Sequence, residues 1–241
     1  MESYNPSDKV LLAVDCIIFG FNEEDLELLC IKRNFEPCLD QWSLMGGFME
    51  RGETLDDAAK RVLTELTGLE NIYMEQLSVF SEIDRDPVER TISVPYFALI
   101  KIKDFEDKLI DKYSAHWFPI HDLPDLIFDH RSMVESALKR LKLRATSKPI
   151  GFELLPEKFT MLKLQKLYEA IFDKPIDKRN FITKVKSMGI LKKLSEKESF
   201  TSKKGSYLYK FDQKSYAKKA EEGLKFKLDF SNSKKTVSVV E

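Results

Sequence analysis

The stretch "GGFMERGETLDDAAKRVLTELTGLE", residues 46–70, restricts the fold more than any other part of the chain. It opens on a glycine loop, Gly46 and Gly47. Thr54 with Asp57 three residues on is a capping-box arrangement, and Gly68 suits a left-handed C-cap, so the spacing predicts a helix over 54–67. Arg61 and Glu65 stand four residues apart on that helix, where side chains meet. Such a turn and capped helix must bury one face against something else.

The flanking segments supply it. "VLLAVDCIIFGF" and "LELLCIKRNF" are apolar runs separated by the turn-like "NEEDLE", and read as two strands of a buried sheet. "MEQLSVFSEI", "TISVPYFALIKI" and "HWFPI" read as further strands around the polar loop "DRDPVER", and residues 131–143, "RSMVESALKRLKL", as a closing helix. Strands on both sides of a helix, then strands and another helix, indicate an α/β sandwich over residues 1–145. Residues 146–159 carry prolines, a glycine and no periodicity, and are expected as a linker.

Charge divides the chain at the same place. Residues 1–145 hold 17 Lys+Arg against 28 Asp+Glu, a net of −11, whereas residues 146–241 hold 22 against 12, a net of +10. A basic segment joined to an acidic one is the footprint of a module that meets nucleic acid, the alternative being a lysine-rich solvated surface. Within the basic segment, "MLKLQKLYEAIF" and "KRNFITKVKSM" are amphipathic helices joined by "DKPID", and "GILKKL" with "SYLYKFD" reads as a hairpin around the loop "SEKESFTSKKG". Helix, turn, helix and two-stranded wing over 160–230 is the winged helix-turn-helix pattern. A tail occupies 231–241.

In the second helix Asp177 is a fitting N-cap, and Phe181, Val185 and Met188 form an inward face. Lys178, Arg179, Asn180 and Lys184 are left outside it, as are Thr183 and Lys186. Arg can bond a guanine edge and Asn an adenine edge in bidentate fashion, while lysines meet phosphates. Lys203 and Lys204 in the wing are placed to hold the DNA backbone.

With 43% hydrophobic and 33% charged residues the composition is that of a soluble globular protein, and no apolar run approaches the roughly 20 residues of a membrane span. The polar start "MESYNPSDKV" lacks an export-signal pattern, so a cytoplasmic location without membrane association is expected. Cys16, Cys30 and Cys38 match neither a metal pair nor a disulfide framework and read as packed thiols.

The opening stretch resembles the Nudix box, G-x(5)-E-x(7)-R-E-U-x-E-E-x-G-U with U apolar. Gly47, Glu53, Arg61, Leu63, Glu65, Gly68 and Leu69 fall in register, seven of nine defined positions, and "WSLMGG" upstream is similar to the family's W-x-L-P-G-G apart from Met45. The resemblance implies an α/β fold: a Nudix α/β/α sandwich followed by a C-terminal winged helix-turn-helix domain. It also implies glutamates that hold Mg²⁺ or Mn²⁺, yet positions 62 and 66 are Val and Leu. Residues 62, 65 and 66 share one helix face, so only Glu65 of that set remains, and an apolar side chain offers a hard cation nothing. No catalytic residue, metal or cofactor is expected. Glu53, Arg61 and Glu65 have two readings: Arg61 pairs with Glu65 and orders the loop carrying Glu53, or the glutamates bond a ligand in the inherited pocket.

Taken with "FDHRSMVESALKRLK", "SEIDRDPVERTISVPYFALI" and "PIDKRNF", the chain resembles the Nudix-related transcriptional regulators of the NrtR type over nearly its whole length. That resemblance implies a homodimer binding an imperfect palindrome in double-stranded DNA, released by a small-molecule effector. In the NrtR branch the effector is ADP-ribose; in the AraR-type branch it is L-arabinose. The sequence looks more like the sugar-responsive branch, with ADP-ribose the alternative, and a repressor of sugar utilisation is expected. By position in such a fold, Asp15, Lys32, Arg33, Trp42, Glu53 and Glu65 are the effector candidates. The rivals are an active Nudix pyrophosphatase with an accessory basic domain and an adaptor that binds no DNA.

Overall fold

Leu11–Phe21, a run of Val, Ile, Phe and Leu buried along most of its length, forms the central strand β1. Burial on both faces explains why it reads as a continuous apolar run, with no alternation. In this computed structural model the described residues are 9–68, 70, 72–104, 114–198 and 205–223, with backbone alone at 66 and 104. They divide into two compact units, residues 1–140 and 141–241.

In the first unit β1 runs parallel to β6 (Thr91–Leu99) and antiparallel to β2 (Leu26–Lys32). The short strands β3 (Trp42–Ser43) and β7 (Ala115–Pro119) pair with β2, and β5 (Tyr73–Gln76) pairs with β6. β4 (Met45–Phe48) takes the same edge of β1 as β2, but further back: residues 13–16 of β1 face β4 and residues 18–21 face β2. The partner of β1 thus changes just after Asp15.

Helix α1 (Leu55–Thr67) has the capping box read from the sequence, with Thr54 and Asp57 bonding each other's backbone N–H, and Gly68 closes it at φ 69°. Ala58, Ala59, Val62 and Leu63 are buried in a cluster with Val14, Met45 and Val94. Helix α2 (His130–Ser147) buries Met133, Val134, Ala137, Leu141 and Ala145, a helical stripe. The segment "MEQLSVFSEI" is strand only at its start; Phe80 makes an isolated bridge to Ser93.

The second unit holds β8 (Phe159–Thr160), α3 (Met161–Phe172), α4 (Lys178–Ser187), β9 (Leu191–Glu198), β10 (Ser206–Phe211) and α5 (Gln213–Glu221). Its strands order β8-β10-β9. Glu169 fixes the turn between α3 and α4, since Oε1 accepts the Ile176 N–H at 2.8 Å and the Gln165 amide at 3.1 Å. The stretch expected as a linker is not loose: Ile150, Leu154, Leu155 and Phe159 are all buried, because its apolar residues line the second unit's core. Helix α5 was not foreseen, its polar "QKSYAKKAE" having no fully buried face. Leu69, Lys203, Lys204 and the tail 231–241 lie outside the described residues. No helix among the described residues is long and apolar enough to cross a membrane.

Candidate functional site

Where β1 changes partner the sheet edge opens into a cleft of about 170 Å³, with Ala13, Asp15, Arg33, Gly46, Arg85 and His130 among its walls. Alternation along β1 sends Ala13 and Asp15 to the same side. Gly46 is required there, because a Cβ on it would collide with Asp15 Oδ1. Phe35, Phe48 and Phe128 add aromatic surface to the rim.

A buried polar network runs from the wall to the residues behind it. The Ser93 hydroxyl donates to Asp15 Oδ2 at 2.5 Å. Arg85 grips Asp129 with two hydrogen bonds, Nε to Oδ2 at 2.9 Å and Nη2 to Oδ1 at 2.8 Å, and its Nη2 stands 3.9 Å from Asp15 Oδ2. His130 accepts the Leu44 backbone N–H at Nδ1, 3.1 Å, which leaves the proton of the neutral ring on Nε2, 3.7 Å from Asp15 Oδ1. Burial pulls the His130 pKa below the ordinary imidazole value, with the Asp15 charge acting against it. The ring is therefore neutral at physiological pH.

Arg33 differs from Arg85 in having no carboxylate partner among the described residues. Its guanidinium carbon lies 3.9 Å from the Phe35 ring centre and 5.7 Å from that of Phe128. Its Nε is buried and has no hydrogen-bond partner among the described residues. A positive group so placed in a cleft has the chemistry to bond an anion or a hydroxyl.

Of the six effector candidates read from the sequence, Asp15 and Arg33 meet in this cleft. Lys32 and Trp42 meet each other, Nζ 5.4 Å from the ring centre, but neither lines it. Trp42 packs edge-on to Phe118 at 4.8 Å. Glu53 and Glu65 surround Arg61, which pairs with both, more tightly with Glu53. Arg61 binds Glu53 in bidentate fashion, at 3.0 and 2.7 Å, and stands 3.8 Å from Glu65, whose side chain is 58% exposed. A second Nη2 bond to the Phe48 carbonyl and the Glu50 N–H on Glu53 Oε1 tie the glycine turn to the helix. The Arg61 hydrogen bond holds the Glu53 carboxyl below its ordinary pKa.

Sequence reasoning missed Arg85 and His130, which line the cleft, and Asp129 and Ser93, which stand behind its wall. The first three lie in "DRDP" and "FDHRSM", segments whose pattern drew notice without a role.

The fold family implies a divalent cation on α1, and the residues present do not fit one. Val62 is 2% exposed, inside the apolar cluster, and its Cγ2 lies 2.9 Å from where a Cβ on Gly47 would sit. Glu53 is committed to Arg61. No group of three acidic, histidine or cysteine side chains among the described residues could hold a metal. The side chain of Leu66 lies outside the described residues.

In the second unit, Asp177 caps α4 by accepting the Asn180 N–H at 2.7 Å. Phe181, Val185 and Met188 are buried, leaving Lys178, Arg179, Asn180 and Lys184 exposed along the opposite side.

A Nudix fold with an altered cation face, followed by a helix-turn-helix with a wing, defines a small-molecule receptor joined to a DNA-binding module. Residues 9–137 match the NUDIX domain family, and residues 151–211 match the NrtR DNA-binding winged helix domain. The chain is 31% identical over 224 residues to the "ADPR responsive transcriptional repressor NtrR" of Acinetobacter baylyi, covering 90% of this chain and 88% of that one. It is 36% identical over 129 residues to an ADP-ribose pyrophosphatase of Methanocaldococcus jannaschii, covering 53% and 73%. The crystal structure of Shewanella oneidensis NrtR complexed with a 27mer DNA superposes with a TM-score of 0.77 at 28% identity, covering 86% of this chain and 95% of that one. The chain belongs to the NrtR family of Nudix-related, DNA-binding transcriptional regulators.

Proposed function

We propose that the chain is a transcriptional repressor whose cleft binds ADP-ribose, without hydrolysing it, and whose winged helix leaves its operator when that effector is bound. The observation that carries this reading is the likeness over 90% of the chain to a repressor described as ADPR responsive. The names of these relatives point to ADP-ribose and not to a pentose, so the expectation of L-arabinose and of sugar utilisation is given up. The acidic balance of the first unit had argued against a diphosphate; Arg33 answers it locally, being a cation in the cleft wall whose buried Nε has no hydrogen-bond partner among the described residues.

Val62 supports the absence of hydrolysis. Cleaving a diphosphate in this fold relies on a cation to neutralise the phosphates and activate water, and a buried valine cannot ligate one. Asp15 and Arg33 are the proposed effector contacts; Glu53 and Glu65 act with Arg61 in shaping the glycine turn. Lys178, Arg179, Asn180 and Lys184 meet the operator, with Lys203 and Lys204 proposed on the phosphates. Two copies bind an imperfect palindrome, since a dimer presents two such helices.

Calorimetric titration with ADP-ribose, AMP and L-arabinose in the presence of EDTA tests the effector. Saturable binding of ADP-ribose, with L-arabinose inert, is expected; heat from the pentose alone would overturn the assignment. Release of AMP from ADP-ribose in Mg²⁺ or Mn²⁺ at enzymatic rates would restore the pyrophosphatase rival.

A further inference from the structure

We propose that Arg85 and Asp129 are positioning residues that couple occupancy of the cleft to α2, the helix that leaves the first unit. The inference rests on the proposal that the cleft takes the effector, and it adds how occupancy is passed on.

One carboxylate sits at the meeting of three chain segments. Asp15 on β1 lines the cleft, and its two oxygens face Arg85 at 3.9 Å from the 77–90 loop and His130 at 3.7 Å from the start of α2. Arg85 is committed to Asp129 at 2.8 and 2.9 Å, and the Asp129 carbonyl accepts the Met133 N–H in the first turn of α2. Asp129 itself is not part of the cleft wall. From there α2 runs to Ser147, and its residues from Leu141 onward belong to the second unit.

The arrangement is a poor device for stability alone. Arg85 has a side chain only 3% exposed, and for an ion pair so buried the loss of hydration offsets much of the attraction. What such a cluster does is select one arrangement of the groups that share it. A ligand hydroxyl that binds Asp15, or a phosphate that draws on Arg85, changes how that carboxylate and guanidinium are shared. Asp129 and His130 are the next groups along, and both are fixed to the first turn of α2. Effector binding can shift the operator-bound population only through such a difference between states. Asp129 supplies it without touching the ligand.

Asp129→Asn, close to isosteric, tests this, with Arg85→Lys, which keeps the charge and loses the two-pronged grip, as the second variant. Three dissociation constants are measured for each protein: for ADP-ribose alone, for an operator duplex selected by this protein from a random pool, and for that duplex at saturating ADP-ribose. Asp129→Asn should keep the first two within about threefold of the wild type, while the factor by which ADP-ribose weakens operator binding shrinks about tenfold or more; the reciprocal effect of the duplex on ADP-ribose affinity must shrink by the same factor. Arg85→Lys should reduce the coupling in the same sense. An unchanged coupling factor in Asp129→Asn overturns the proposal, as does loss of ADP-ribose binding itself, which would make Asp129 a ligand-holding residue. Failure of the wild-type duplex to respond to ADP-ribose would instead overturn the functional reading beneath it.

Discussion

Val62 packs its Cγ2 methyl against Gly47 so closely that a Cβ on the glycine would fall 2.9 Å away. The position that carries a metal-binding glutamate in the Nudix pattern is here part of the wall between helix α1 and the glycine turn.

That contact makes Val62 a stability residue. Val62→Ala removes two buried methyl equivalents and leaves a cavity, so it should lower the unfolding free energy by about 2 kcal/mol. Val62→Glu buries an unpaired carboxylate and should cost at least as much, roughly 3 kcal/mol, without creating a hydrolase. Urea unfolding followed by circular dichroism measures both.

The Arg61–Glu53 pair has a pH signature. Arg61 lowers the folded-state pKa of Glu53 below its unfolded value, so the stabilisation it gives is fully present above the ordinary glutamate range. It is lost as pH falls through the depressed value. Replacing Arg61 by Gln should therefore lower stability by a constant amount above the glutamate range and flatten the acid limb, leaving the slope above neutrality unchanged. Thermal melts from pH 2 to 8 test this.

On the operator, Arg179→Ala should cost roughly 1–3 kcal/mol and relax preference at one base position, whereas Lys184→Ala should weaken all duplexes alike and reduce the salt slope by about 1. Fluorescence anisotropy across a salt series distinguishes the two. Equal behaviour of the two variants would contradict the assignment of roles on α4.

Lys219 on α5 donates to the Met188 carbonyl at the C-terminal end of α4, at 2.9 Å, and a Cβ on Gly189 would meet its Nζ at 2.5 Å. A cation on the last carbonyls of a helix contributes about 0.3–1 kcal/mol. Lys219→Met should lower stability by that amount and weaken operator binding with no change in base preference. Denaturation and anisotropy together check it.

Local signals in the sequence were easy to read. Thr54, Asp57 and Gly68 are caps whose partners lie within four residues, and the Phe181, Val185 and Met188 stripe depends on one helix alone. The polar network at and behind the cleft wall was not legible. Asp15 meets Ser93 across 78 positions and Arg85 meets Asp129 across 44, contacts that no spacing rule contains. The i+4 pair of Arg61 with Glu65 could be read from spacing, but the tighter grip of Arg61 on Glu53 could not, because the geometry of the glycine turn decides it. Helix α5 escaped because its residues show no apolar periodicity.

The central claim is that a receptor without hydrolase chemistry governs a DNA-binding module. Its most direct test is the anisotropy of a labelled operator duplex bound to the full chain, titrated with ADP-ribose in EDTA. Release of the duplex with ADP-ribose intact is the predicted result. A duplex that stays bound at saturating ADP-ribose, in a protein that cleaves the compound once Mg²⁺ is restored, would contradict it.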